Sequence, residues 1–98
     1  MLMVTVTLPI STQNHARAIE IFDAHLPGIH DMPGCLSYRM VTNHASPPYL
    51  EVHQSWVDQA SFDSYRADPV FAALGAGLKP LLSALPETRV YTAEQLSA

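Results

Sequence analysis

This chain is poor in charge and in cysteine, and both shortages narrow what it can be. Charged residues fill only 14% of the 98 positions, against 48% hydrophobic ones. Lys79 and four scattered arginines form no basic run, and the net charge is −4. Such a chain has no electrostatic footprint for nucleic acid and no grip on an anionic membrane surface. No apolar run approaches the length of a bilayer span. The opening MLMVTVTLPI is apolar but lacks the basic segment and small-residue cleavage site of a signal peptide. The lone Cys35 cannot close an internal disulfide, which suits a reducing compartment. The expectation is a cytoplasmic protein with no nucleic-acid partner and no membrane partner. So much apolar side chain with so little charge to cover it also implies a second buried surface, most simply a homodimer interface.

What is present reads as one domain, residues 1–98, with a core over about 3–93 and a loose tail from about 94 onward. Val4, Val6 and Leu8 alternate with Met3, Thr5 and Thr7, as in a strand that Pro9 ends. STQNHARAIEIFDAHL then opens with capping residues and takes helical spacing. Ala18, Ile21, Phe22, His25 and Leu26 share one stripe, with Arg17, Glu20 and Asp23 outside it. Pro27-Gly28 is expected to kink or end that helix. MPG is a turn, CLSYRMV a second strand, TNHASPP a hairpin loop and YLEVHQSW a third strand. Asp58 is the expected N-cap of a short helix through Ala67. Asp68 caps the next, with Pro69 at its first position and Val70, Phe71, Leu74, Leu78 and Leu81 as its apolar stripe. Gly75 and Gly77 weaken this helix and Pro80 bends or ends it, before ETRVYTA forms the last strand.

The order strand, helix, strand, strand, broken helix, strand is that of an α+β ferredoxin-like βαββαβ fold with a four-stranded antiparallel sheet. Pairing the middle strands about their loop puts Leu36, Tyr38 and Met40 on one face with Leu50, Val52, Gln54 and Trp56. Val4, Val6, Leu8 and Val90 complete that helix-facing side. The opposite face carries Thr5, Thr7, Arg39, His53, Arg89 and Tyr91. It is too apolar for ordinary surface and too polar for a monomer core, so it is expected to meet a second sheet across a two-fold axis. An open, wet sheet face is the other reading.

The motifs PGCLSY entering a strand, a strand ending in Trp56, VDQASFDSYRADPVFAALGAGLKPLL and PETRVY together resemble the antibiotic-biosynthesis-monooxygenase domains. These include quinol and anthrone monooxygenases of the dimeric α+β-barrel superfamily, and the resemblance runs from about Met3 to Tyr91. It implies a homodimer in which each subunit oxygenates a small aromatic substrate, a quinol or polycyclic phenol, with O2 and no cofactor. The substrate is deprotonated, its anion passes an electron to oxygen, and a peroxide collapses to a quinone. Many relatives carry histidine where this chain has Tyr65, a second histidine where it has Val70, and some an asparagine where it has Val52. The asparagine and histidine ligand of the haem-degrading relatives are also missing, which disfavours that activity.

The resemblance implies a pocket between sheet and helices, bounded by Leu36, Tyr38, Gln54, Trp56, His25 and the helix of Tyr65, with Val52 and Phe62 adding apolar wall. Trp56 reads as core filler and pocket wall at once, able to stack on a ring and donate its indole N–H. Tyr65 either packs beside Phe62 or replaces the missing histidine as donor or general acid. His25 is either a core histidine bonded to a backbone carbonyl or a base in a desolvated pocket. Gln54 either orients a substrate oxygen or caps a helix end. His15, His30 and His44 form no i,i+4 pair, so no metal site is expected. Cys35 reads as a buried strand residue. The catalytic candidates are therefore His25, Trp56 and Tyr65, and Leu36, Tyr38, Val52, Gln54 and Phe62 are the substrate-binding candidates. Two other readings remain open: a non-catalytic ligand-binding dimer of the same fold, and an isomerase or degradative enzyme for a small carbonyl compound.

Overall fold

The computed structural model describes residues 1–96. Four strands, β1 (Leu2–Leu8), β2 (Cys35–Asn43), β3 (Tyr49–Trp56) and β4 (Glu87–Thr92), form one antiparallel sheet in the order β2-β3-β1-β4. Helices α1 (His15–His30), α2 (Gln59–Ala67) and α3 (Pro69–Leu78) complete an α+β ferredoxin-like fold. The alternation of β1 does what a half-buried strand requires. Leu2, Val4 and Leu8 are buried, while Met3 is exposed and Thr5 and Thr7 are only partly covered. Opposite them on β3 lie Trp56, Gln54 and Leu50, all buried.

Local signals set the helix boundaries. Asp58 accepts the Ser61 N–H at 2.8 Å and starts α2, and Asp68 accepts the Val70 N–H at 2.9 Å and starts α3 with Pro69 at its head. A 3-10 turn at Lys79–Leu81, holding Pro80, ends α3. The first helix behaves differently from its sequence signal, because α1 continues through Pro27 to His30 instead of ending there. The carbonyl left unpaired by proline belongs to Asp23, which is exposed, so water can satisfy it. Continuing the helix also buries Ile29 completely. His30 is accordingly the last residue of the helix.

A second difference lies where the chain enters β2. The β2–β3 register runs regularly from Asn43↔Tyr49 to Ser37↔Ser55, then shifts between Ser37 and Cys35, so that Cys35 pairs with Trp56. The shift is a β-bulge that turns Leu36 outward, and Leu36 is 56% exposed. Cys35 packs against the core in its stead. Gly34 fixes this entry: its φ is +83°, and a Cβ there would overlap Ser61 at the start of α2. The Val57 N–H donates to the Gly34 carbonyl at 2.8 Å, tying the end of β3 to the same point.

Val90 lies on the helix-facing side, opposite Val4, but is 43% exposed, because β4 is an edge strand beyond the helices' cover. All six residues of β4 are exposed. Every aromatic residue except Tyr49 and Tyr91 joins one cluster, in which Phe22, Tyr38, Trp56, Phe62 and Tyr65 are buried and Phe71 is exposed at the edge. No helix among the described residues is long and apolar enough to cross a membrane. The expected loose tail falls partly on residues 97 and 98, which lie outside the described residues.

Candidate functional site

A cavity of about 170 Å³ opens between the sheet and α2–α3. Its walls come from β1 (Val6, Leu8), β2 (Tyr38), β3 (Val52, Gln54), α2 (Tyr65) and α3 (Phe71, Leu74). The exposed Lys79, Phe71 and Thr88 mark its mouth. Of the residues expected from sequence to line a pocket, Tyr38, Val52, Gln54 and Tyr65 do so. Trp56 and Phe62 are fully packed one layer behind, and two candidates lie elsewhere.

The polar groups are arranged with a definite sense. Tyr38 and Tyr65 hydroxyls are 2.6 Å apart, their rings edge-to-face with centroids at 5.5 Å. Two hydroxyls sharing one hydrogen bond leave one proton free to donate elsewhere. Burial, reinforced by Tyr65 and its hydrogen bond, pushes the Tyr38 pKa far up. Burial also pushes Tyr65 up to about 12, against the lowering effect of the Tyr38 hydrogen bond. Both phenols are therefore neutral donors near pH 7. Cys35 lies close enough to raise both tyrosines, and its thiol is itself raised by burial.

Trp56 acts on this arrangement from behind. Its ring stacks on Tyr65 with centroids 5.0 Å apart, and its indole N–H donates to Gln54 Oε1 at 2.9 Å. Indole nitrogen is a donor only, so it fixes which end of the Gln54 amide it meets. The amide NH2 has no partner within the described protein. Since no fully buried side-chain nitrogen or oxygen among the described residues lacks a partner, that NH2 is open to the cavity. The strand period puts residues 54 and 56 on one face and makes this relay possible. Phe62 supports the cluster from outside, with the Arg66 guanidinium 4.4 Å over its ring.

His25 is not part of this site. Its Nδ1–H donates to the Ile21 carbonyl at 2.8 Å, and the ring lines an open groove of about 520 Å³ between α1 and α3, with Arg17, Glu20 and Gly77. The buried line of α1 is Ala18, Phe22 and Ile29, which leaves His25 on its flank, half-buried. That groove is larger than the cavity, but its charged pair, Arg17 and Glu20, is exposed and self-satisfied at 2.7 Å. Leu36, turned out by the bulge, is the other candidate outside the site.

Sequence reading missed Lys79 and Thr88 at the mouth and did not single out Leu8, Phe71 or Leu74 as lining. The stripe on α3 held the signal for Phe71 and Leu74, since a helix laid over a sheet must line whatever space lies between them. Nothing local marked Lys79. Among the described residues, no three of His, Cys, Asp and Glu gather as a metal centre would need.

The fold is shared with several solved structures. Rv0793 from Mycobacterium tuberculosis is 16% identical with a TM-score of 0.85, over 99% of this chain and 98% of that one. A Caulobacter crescentus protein, provisionally named an antibiotic biosynthesis monooxygenase, is 19% identical with a TM-score of 0.88, over 96% and 90%. A Deinococcus radiodurans protein with the same provisional name is 21% identical with a TM-score of 0.83, over 100% and 97%. Identities this low speak to fold alone. No curated protein matches the sequence. The antibiotic biosynthesis monooxygenase family model, however, matches residues 1–76, from β1 into α3, and so spans most of the cavity wall. The chain belongs to the antibiotic biosynthesis monooxygenase family.

Proposed function

We propose that the protein is a cofactor-independent monooxygenase that oxidises a small quinol or phenol with O2 in the cavity between sheet and helices. The observation that carries this reading is a cavity with apolar walls whose convergent polar groups are the Gln54 amide and the Tyr38–Tyr65 hydroxyl pair. Apolar walls hold the ring, and the fixed donors stabilise the oxyanion that passes an electron to oxygen. One oxygen atom enters the substrate as a quinone carbonyl. The other leaves as water with two hydrogens from the substrate, so a phenol and O2 give a quinone and H2O, and a quinol and O2 give a hydroxyquinone and H2O. Tyr65 donates a hydrogen bond to the reduced oxygen while keeping its own proton, and Trp56 holds the Gln54 amide in register.

The working unit in this reading is a homodimer joined through the outer sheet face. Support comes from Met3 and Tyr91, adjacent on that face and exposed by 46% and 53%, and from the exposure of every residue of β4. An exposed edge strand with apolar side chains is a surface that a second copy would cover. Light scattering on the eluting peak tests this, and a monomer at micromolar concentration refutes it.

A lining without histidine or carboxylate favours one second reading, a dimer that binds its ligand without turning it over. Oxygen uptake by metal-free protein with a panel of quinols separates the two. The enzyme reading expects one O2 consumed per quinone formed, a loss of at least tenfold when Tyr38 and Tyr65 are both replaced by phenylalanine, and little change in His25→Ala. Binding without uptake across the panel refutes it.

A further inference from the structure

We infer that this cavity takes its ligand as a preformed anion of a single-ring phenol or similarly acidic enol, and that the protein itself removes no proton from it. The inference rests on the reading above that this cavity is the substrate site, and it narrows the substrate class. Three observations carry it. First, every polar group lining the cavity can donate and none is a base: the Gln54 NH2, held outward by Trp56, the spare hydroxyl proton of the Tyr38–Tyr65 pair, and the Thr88 hydroxyl at the mouth. Second, Lys79 stands at the mouth and makes no ion pair among the described residues, so it offers positive charge where a ligand would enter. Third, no base lines the cavity.

That third point can be checked element by element. From β1 come Val6 and Leu8, from β3 Val52 and Gln54, and from β4 Thr88, none of them ionisable near neutrality. The titratable groups facing the space are Tyr38 on β2, Tyr65 on α2 and Lys79 after α3. α3 contributes apolar residues and Gly75, and Cys35 sits behind the tyrosines rather than in the lining. The two phenols resist ionisation because they are buried, so neither can accept a proton from a ligand of ordinary acidity. A neutral phenol entering this space could hand its proton to a tyrosine oxygen only as an ordinary hydrogen bond, and would gain nothing from the Gln54 NH2 or Lys79 beyond what its oxygen accepts. Its anion would instead receive charge-assisted hydrogen bonds from each of them. Size sets the other limit. About 170 Å³ is close to the roughly 150 Å³ of an engineered cavity that takes one benzene ring, and far below the ~300 Å³ at which drug-sized sites begin.

The test is equilibrium binding, which needs no turnover. Para-nitrophenol, its methyl ether para-nitroanisole, and a three-ring phenol of similar acidity are titrated against the intact protein by calorimetry over roughly pH 5 to 9. Para-nitrophenol should bind about tenfold more tightly per pH unit up to its own ionisation, then level off. The ether should bind at least tenfold more weakly than the anion, with no pH dependence, and the three-ring phenol at least tenfold more weakly than para-nitrophenol. Lys79→Gln, at an exposed position, should cost the anion about three- to tenfold and leave the ether unchanged. Affinity that is flat or falling as the phenol ionises overturns the inference, as does equal binding of the ether, tight binding of the three-ring phenol, or no binding at all. Oxygen uptake with pH-flat binding would sink this inference and leave the monooxygenase reading intact. Anion-selective binding without uptake would do the reverse.

Discussion

Replacing Trp56 by phenylalanine should injure stability and ligand binding by two separable routes. The indole is completely buried, donates to Gln54 Oε1 at 2.9 Å and stacks on Tyr65 at 5.0 Å. Loss of the N–H leaves a buried amide oxygen without its donor, at a cost of about 1–2 kcal/mol. The smaller ring leaves a void beside Tyr65, worth roughly another 1–2 kcal/mol. Together these predict a loss of about 3 kcal/mol, or a Tm lower by about 12–24 °C for a domain of this size. The binding effect has a different origin, because without the indole nothing decides which end of the amide faces the cavity. Affinity for para-nitrophenolate should fall several-fold. The decisive assay is a double-mutant cycle by calorimetry, with circular-dichroism melts in parallel. On a Gln54→Met background the donor is already gone, so adding Trp56→Phe should not lower affinity further, although it still lowers Tm. If Trp56→Phe costs the same factor in affinity on both backgrounds, the indole does not act through Gln54 and the relay is wrong.

Tyr65→Phe removes the hydroxyl paired with Tyr38 while keeping the ring against Trp56, Phe62 and Phe71. Its melt should shift by about 1 kcal/mol; since the Tyr38 hydroxyl can then donate in its place, phenolate affinity should drop about tenfold when both tyrosines are replaced by phenylalanine, and unchanged affinity in that double variant counts against the donor role. Gly34→Ala forces a side chain into left-handed backbone, at about 1–2 kcal/mol, and into Ser61. A total near 3 kcal/mol is expected from the urea midpoint, and a loss below about 1 kcal/mol would mean that the turn relaxes freely. Asp58 has its pKa held below the usual aspartate value by the Ser61 hydrogen bonds. A carboxylate depressed in the folded state stabilises fully above its unfolded pKa and loses that contribution as pH falls through the folded one. Melts on the acid side should therefore decline less steeply in Asp58→Asn than in the parent, and parallel curves would contradict this.

The fold was readable because its signals are local and mutually consistent. Asp58 and Asp68-Pro69 name two helix starts, and YLEVHQSW covers β3 from end to end. The errors fall where a long-range contact overrides a local rule. Proline at position 27 should break a helix, but its orphaned carbonyl faces water and the buried Ile29 lies beyond it. Alternation puts Leu36 inside, but Gly34 is pinned against Ser61 across the fold, and the bulge that follows exchanges Leu36 for Cys35. No periodicity in β2 encodes that contact, because it belongs to the meeting of β2 with α2.

The site was partly legible, and beside Leu36, which the bulge turns out, the residue that sequence misplaces is His25. Residue chemistry pointed to His25, since an imidazole in an apolar stripe looks like a base awaiting a proton. A stripe drawn on a helical wheel has edges, and at its edge His25 bonds its own helix carbonyl and faces a different groove. The groups that do converge are ones that sequence reading treats as bland: an amide, two phenols and a lysine at a helix end. Their meaning lies in orientation, which only the fold supplies. Trp56 turns the Gln54 amide outward, Tyr38 and Tyr65 share one bond and spare one proton, and Lys79 is left unpaired at the opening among the described residues. A lining that can donate and holds no base would favour a ligand carrying negative charge, and on the inference above the proton-removal step then lies in the choice of substrate. On that inference, a ligand that suits this cavity brings its own acidity.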